Sequence, residues 1–347
     1  MAIVLMYTDP HLGLQRKSNF TAASSQARDD EAFDALRRFL IVNDNKVRFC
    51  LGDFFDTYSN KESVIARSVP IMEQTDLILA GNHDVANRVG VISSLQLLEE
   101  LPRNTVVRYP LEEPSVFWRA EGLTDFFCIP HVINQETFEA MLLKAKQEAD
   151  QSQKYRVLLL HCNYGLSEDR AASSLNLTRE RAAELLGTFH YIFIGHEHTP
   201  REDFDGRLVL IGSWRPTAFD NIDDKRIVLY DVDTGSYQFQ TVWSAAEHAY
   251  SGPASKAPLA PVRQYYTLED DRSSGETQRL AVRLFEQGAF GVKVLGSIEA
   301  AKDSLNEPVT GIESLPSTIM RDLQDNKPKL VPYWVELSKK AAGAGEC

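Results

Sequence analysis

Short, almost wholly apolar runs recur through the first two thirds of the chain: Ile3 to Tyr7, Val47 to Leu51, Leu77 to Ala80, Phe126 to Ile129, Val157 to Leu160 and Tyr191 to Ile194. Each is a few residues long, too short for a helix, which predicts a strand at each place. Between them, Asp30 to Val42 and Gln135 to Ala149 space their apolar residues at the helical period. Strands alternating with helices predict an α/β domain. Arg207 to Val242 lacks helical spacing and carries turn residues at Gly206 and at Asp233 to Ser236, so it reads as a β-meander. Thr21 to Gln26 reads as a short polar loop.

The pattern changes at Ser251 to Pro261, SGPASKAPLAP, whose prolines and small residues suit an extended linker. Beyond it, Val262 to Leu268 and Phe290 to Leu295 read as strands around a helix near Glu276 to Gln287, which predicts a small α+β cap. The expected organisation is a large domain over residues 1–250, a linker over 251–261, a cap over 262–340 and a disordered tail over 341–347.

Composition narrows the setting. The chain has 347 residues, of which 43% are hydrophobic and 25% charged, the make-up of a globular protein. No apolar run approaches the roughly 20 residues a membrane helix needs, and no leader-like segment precedes Asp9. Cys50, Cys128, Cys162 and Cys347 show no paired spacing, and three of them lie in apolar runs that suit reduced thiols. The expectation is a cytoplasmic protein with no membrane partner. A net charge of -12 works against holding nucleic acid by bulk electrostatics, so such contact must come from a local surface, with bound cations offsetting part of the charge.

The chemistry is concentrated at strand ends. Five of the eight histidines fall in Asp9-Pro10-His11, Gly81-Asn82-His83-Asp84, His161-Cys162-Asn163 and Gly195-His196-Glu197-His198, each directly after a predicted strand. Loops at the carboxyl ends of strands in an open α/β sheet converge on one crevice, so these segments can meet. With Gly52-Asp53-Phe54-Phe55-Asp56 they form a set of oxygen and imidazole donors suited to manganese, iron or zinc. Any one of these histidines alone reads as an ordinary hydrogen-bonded residue. The ordered set of segments does not. Asp56 follows Asp53 by one helical turn, and it equally suits a cap on the segment that follows. His131, His190 and His248 fall outside the motifs and read as structural.

The ordered series D-x-H, G-D-x-x-D, G-N-H-D, H and G-H-x-H resembles the calcineurin-like metallophosphoesterase superfamily, over Asp9 to His198. That resemblance implies an α/β fold, two mixed β-sheets in a sandwich flanked by helices, with two divalent metal ions at one edge. It implies that Asp9, His11 and His198 hold one metal, that Asn82, His161 and His196 hold the other, and that Asp53 bridges them. A shared carboxylate lets two cations sit roughly 4 Å apart, where they polarise phosphoryl oxygens and acidify water. His83 is then expected as general acid toward the leaving oxygen, with Asp56 orienting it.

Within the superfamily the chain looks most like the SbcD family of DNA-repair exonucleases, including its short phage versions. The residues that carry this are Gly52 to Thr57, Gly81 to Asp84, and Ile211-Gly212-Ser213-Trp214-Arg215-Pro216. The branch implies an endonuclease and 3'-to-5' exonuclease on DNA, usually with manganese, paired with an SbcC-type coiled-coil ATPase; magnesium and a homodimer are further expectations. Residues 315–340 would supply the ATPase-docking helices. Arg16, Lys17 and Arg215 are candidate contacts to the DNA backbone, with Arg201, Lys225 and Arg226 as further basic positions. Two other readings stay open: a phosphodiesterase or phosphatase for small nucleotides or phosphoproteins, and a non-catalytic metal-binding component of a DNA-repair complex.

Overall fold

The computed structural model describes residues 2–15, 19–86, 91–99, 101, 105–108, 117–166, 175–271 and 273–295. The first part of the chain runs β1 (Ile3–Tyr7), α1 (Ala22–Val42), β2 (Val47–Cys50), α2 (Glu62–Met72), β3 (Leu77–Leu79), α3 (Ser94–Leu97), β4 (Thr105–Val107), β5 (Phe117–Glu121), β6 (Thr124–Ile129) and α4 (Gln135–Ala149). It continues through β7 (Tyr155–His161), β8 (Asn163–Tyr164), β9 (Asn176–Leu177), α5 (Arg179–Leu185), β10 (Tyr191–Gly195), β11 (Arg201–Asp203), β12 (Leu208–Leu210), β13 (Lys225–Asp231) and β14 (Ser236–Trp243). The last described elements are α6 (Ala245–His248), β15 (Ala249–Pro253), β16 (Tyr265–Glu269), α7 (Ser274–Glu286) and β17 (Gly291–Leu295).

Two six-stranded sheets form the body, ordered β14-β13-β1-β2-β3-β4 and β11-β12-β10-β7-β6-β5. Both are mixed: their central strands run parallel, while β13 and β14 in the first sheet and β5 and β11 in the second pair antiparallel. Every core strand is buried on both faces, which explains continuous apolar runs where a one-sided sheet would alternate. In β1, Val4 and Met6 point between the sheets, whereas Leu5 and Tyr7 point to the layer of α1 and α2. In β7, Val157 and Leu159 face the inter-sheet core, and Leu158 and Leu160 face α4 and α5.

Three expectations change in the folded chain. Helix α1 starts at Ala22, eight residues before the periodic segment begins. The polar stretch read as a loop forms its first turns, because Thr21 caps the helix in a reciprocal pair with Ser24. The predicted meander splits between sheets: β12 joins β10 in parallel, while β13 and β14 cross to the other sheet beside β1. Residues 251–261 are not a free linker. They begin in β15, which pairs in parallel with β16 and completes a small sheet, β15-β16-β17, packed against α7. This small sheet belongs to the same compact unit as the large ones, Met1–Leu295. The rest of the predicted cap, the docking segment 315–340 and the tail 341–347 lie outside the described residues.

The two-faced burial makes a stability contrast. Leu159→Ala, in the inter-sheet core, is expected to destabilise the chain by about 2–5 kcal/mol, and Leu143→Ala, on the exposed side of α4, by less than about 0.5 kcal/mol. Urea unfolding of the two variants checks this; equal losses would mean that the inter-sheet core is wrongly placed.

Candidate metal centre

The segments singled out in the sequence meet where the carboxyl ends of both sheets come together. Beyond the ends of β1 and β2 the chain continues to pair: Asp9 N donates to Gly52 O at 3.0 Å, His11 N to Asp53 O at 3.1 Å and Leu12 N to Phe54 O at 3.0 Å. The two ligand-bearing loops are thus zipped together. Next to them, β3 delivers Asn82 and His83, β7 ends on His161, and β10 leads into His196 and His198.

Three groups of donor atoms result: Asp9 with His11 and His198, Asp53 with His161 and His196, and His11 with Asp56 and His83. In the first, Nε2 of His11 and Nε2 of His198 are 3.0 Å apart, and each is 3.9 Å from Asp9 Oδ1. A point equidistant from the corners of that triangle lies about 2.1 Å from each, the bond length of a transition metal to imidazole nitrogen or carboxylate oxygen. In the second, Asn82 Oδ1 is 2.9 Å from His196 Nδ1 and 3.3 Å from His161 Nε2, which is also 3.4 Å from Asp53 Oδ1. Asp53 turns its other oxygen, Oδ2, toward His11 Nε2 at 3.8 Å. It therefore faces both groups.

Charge and backbone geometry support the fit to cations. Asp9 and Asp53 are buried, 0% and 1% exposed. Burial raises the Asp9 carboxyl, and the neighbouring Asp53 charge raises it further against the pull of His161. Burial would raise Asp53 too, but the imidazoles of His161 and His11 outweigh it and hold this carboxyl well below the usual range. His161 carries the matching shift: burial alone would lower it, and Asp53 lifts it to about 9. A proton on His161 thus does what a cation does better. Burial, followed by neighbouring imidazoles, depresses His196 and His198 to about 3, so both rings are neutral, as ligands must be. Asp9, His11, Asp53 and His196 all hold positive φ, from 44° to 89°, a region uncommon for residues with a side chain.

The motif glycines have a steric reason. A Cβ on Gly52 would lie 1.9 Å from His161 Nδ1, and one on Gly81 would lie 2.1 Å from Asp53 Oδ1. Either side chain would occupy ligand space. His161 Nδ1 donates to Leu51 O at 2.7 Å, which makes Nε2 the nitrogen turned toward the site.

Several sequence expectations are corrected. Asp56 does meet His83, but through its backbone: His83 Nδ1 lies 2.5 Å from Asp56 O, while the Asp56 carboxylate lies 3.4 Å from His11 Nδ1. Arg215 is not available to DNA. It is buried, its guanidinium pairs with Glu31 at 3.2 Å, donates to Trp214 O and Val242 O, and lies over the Trp214 ring. Lys225 is buried as well, bonded to Asp223 and to His198 O. Arg226 pairs with Glu202, and Arg201 with Glu197. Arg16 and Lys17 lie outside the described residues. His131, read as structural, ends 6.4 Å from the His161 ring, where burial and then His161 push it down to about 4.

Other residues of the site went unassigned in the sequence. Asp84 is buried and accepts from Phe54 N at 3.0 Å, Phe55 N at 2.9 Å and Gly81 N at 2.9 Å, tying the Asp53 loop to the Asn82 loop. Its place in Gly-Asn-His-Asp was the available signal. Thr217 Oγ1 lies 2.8 Å from His198 Nδ1, with Asn221 behind it, and nothing local to Thr217 or Asn221 in the sequence marked them.

A search of curated proteins finds no match. Among solved structures, the chain is similar to purple acid phosphatase PPD1 from yellow lupin (Lupinus luteus) seeds, at 13% identity and a TM-score of 0.42. The match covers 70% of this chain and 51% of that one, so the chain spans about half the length of the lupin protein. The profile of the calcineurin-like phosphoesterases matches residues 3–200, more than half of the sequence and every residue of the two donor groups, and the chain belongs to that family.

Proposed function

We propose that the chain is a two-metal phosphodiesterase whose substrate is DNA. One observation carries the phosphoester chemistry: Asp53 presents an oxygen to each of two donor groups, Asp9-His11-His198 and Asn82-His161-His196, at one sheet edge. Two divalent cations, with manganese the expected pair, would supply Lewis acidity toward phosphoryl oxygens and a more acidic water. The protein's own part is to hold the carboxylates and imidazoles in place, through the zipped loops and the three backbone bonds to Asp84. His83 is partly exposed beside the site. With Nδ1 donating to Asp56 O, its Nε2 is the nitrogen that exchanges a proton with the leaving oxygen.

DNA as substrate is supported by the sequence resemblance to the SbcD branch. Association with an SbcC-type ATPase through residues 315–347 belongs to the same proposal. The second reading, a small nucleotide or phosphoprotein substrate, gains from one observation: Arg215 and Lys225, two of the basic positions considered for DNA contact, are buried and internally paired.

Asp53→Ala and His161→Ala are expected to lose bound metal and turnover together, measured by elemental analysis and by hydrolysis of bis-p-nitrophenyl phosphate. Two metals retained with full activity in Asp53→Ala would remove the bridge.

His83→Ala is expected to keep both metals and lose roughly 100- to 10,000-fold in rate on DNA, with a smaller loss on an ester whose leaving group needs no proton. Asp56→Asn, which keeps the backbone carbonyl, should cost far less. Equal losses by His83→Ala on both substrates would sink the general-acid role.

With manganese, cleavage of labelled DNA should exceed that of a phosphomonoester and fall with added salt, whereas a small diester should be salt-insensitive. Cleavage of a cyclic or dinucleotide substrate with no cutting of single- or double-stranded DNA, partner ATPase included, would establish the second reading.

A further inference from the structure

After β12 the chain passes along the rim of the metal centre before it enters β13. In this stretch Thr217 Oγ1 lies 2.8 Å from His198 Nδ1, and Asn221 Nδ2 donates to the same hydroxyl oxygen at 2.9 Å. Asn221 Oδ1 accepts from Thr217 N at 2.9 Å and Ala218 N at 3.2 Å, which closes residues 217–221 on themselves. Thr217 and Asn221 are buried. Because His198 turns Nε2 toward Asp9 and His11, its hydrogen belongs on Nδ1, and the ring is oriented by donating to Thr217.

Between Thr217 and Asn221 stands Phe219, whose ring packs on the small C-terminal sheet. It meets Phe20 edge-on at 5.7 Å and Tyr265 of β16 at 6.0 Å. Strand β17 leaves room for it: a Cβ on Gly291 would lie 2.8 Å from Phe219 Cζ and 3.1 Å from Phe20 Cζ. The seat is pinned from the far side as well, since Val292 N donates to Asn19 O at 3.1 Å. Tyr265 is buried and packs further against Trp243 and Phe290.

We propose that Phe219 is a positioning residue through which the small sheet sets cation affinity: its aromatic seat on β16 and β17 fixes residues 217–221, and these fix the ring of His198. The proposal rests on the reading of Asp9, His11 and His198 as a cation site. With Phe219 unseated, the Thr217 hydroxyl no longer has one position, and the imidazole must be ordered at the expense of binding. The relation is one of distance: the ligand and its buttress belong to different sheets.

The test is titration of Mn2+ alone into the metal-free full chain at 25 °C, in competition with a fluorescent chelator. Wild type should show two binding events. In Phe219→Ala, Gly291→Ala and Thr217→Val one event should weaken roughly 10- to 100-fold, the range for a lost partner behind a metal ligand, while the other stays put. Thr217→Ser, which keeps the hydroxyl, should restore wild-type binding. A purely structural Phe219 would lower the melting temperature and leave both Mn2+ affinities unchanged, and that result overturns the coupling. If Phe219→Ala does not fold, Gly291→Ala, which retains every other side chain, decides by the same criterion. A wild-type chain that binds no Mn2+ would overturn the metal-centre reading, and the coupling with it.

Discussion

Asp9 and Asp53 are buried together at the meeting edge of two sheets, and the rest of the structure depends on this arrangement. Two carboxylates out of water repel one another and lose their hydration, so the site is stable only if positive charge is brought to them. The folded chain does this with imidazoles: His161 and His11 hold Asp53 ionised, and Asp53 in turn keeps His161 protonated. Divalent cations would take the place of those protons and bring more positive charge to the same carboxylates. That requirement explains why neutral His196 and His198 complete the two donor groups where further carboxylates would add repulsion.

Holding such a site costs the backbone. Asp9, His11, Asp53 and His196 sit at positive φ, a conformation worth roughly 1–3 kcal/mol each for side-chain-bearing residues. The surroundings that enforce it are rigid. Asp9, His11 and Leu12 are bonded to the neighbouring loop, Asp84 ties Phe54, Phe55 and Gly81 together, and strands buried on both faces anchor each loop at its root. Burial in the three large apolar layers is therefore also what keeps the donor atoms in register.

Electrostatics separates what the surface does from what the site does. The chain is acidic overall, and two of the basic residues singled out in the sequence are used inside the fold: Arg215 on Glu31, Lys225 on Asp223 and His198 O. Cations held between these donors would therefore add positive potential at the site that Arg215 and Lys225 do not supply.

The sequence by itself determined the central strands β1, β2, β3, β6, β7 and β10, the long helix α4, and the oxygen and imidazole donors, because apolar runs and motif chemistry are local properties of the chain. Asp9, His11, Asp53, Asn82, His161, His196 and His198 were readable for that reason, each next to a strand end that had to point to one crevice. Only the tertiary structure decided which partner each polar group meets. It buried Arg215 and Lys225, gave His83 the backbone oxygen of Asp56 in place of its carboxylate, sent β12 to one sheet and β13 to the other, and put Thr217 behind His198. Those outcomes depend on the register of two sheets packed face to face, where a hydrogen bond forms between residues far apart in sequence, and no local pattern encodes that distance.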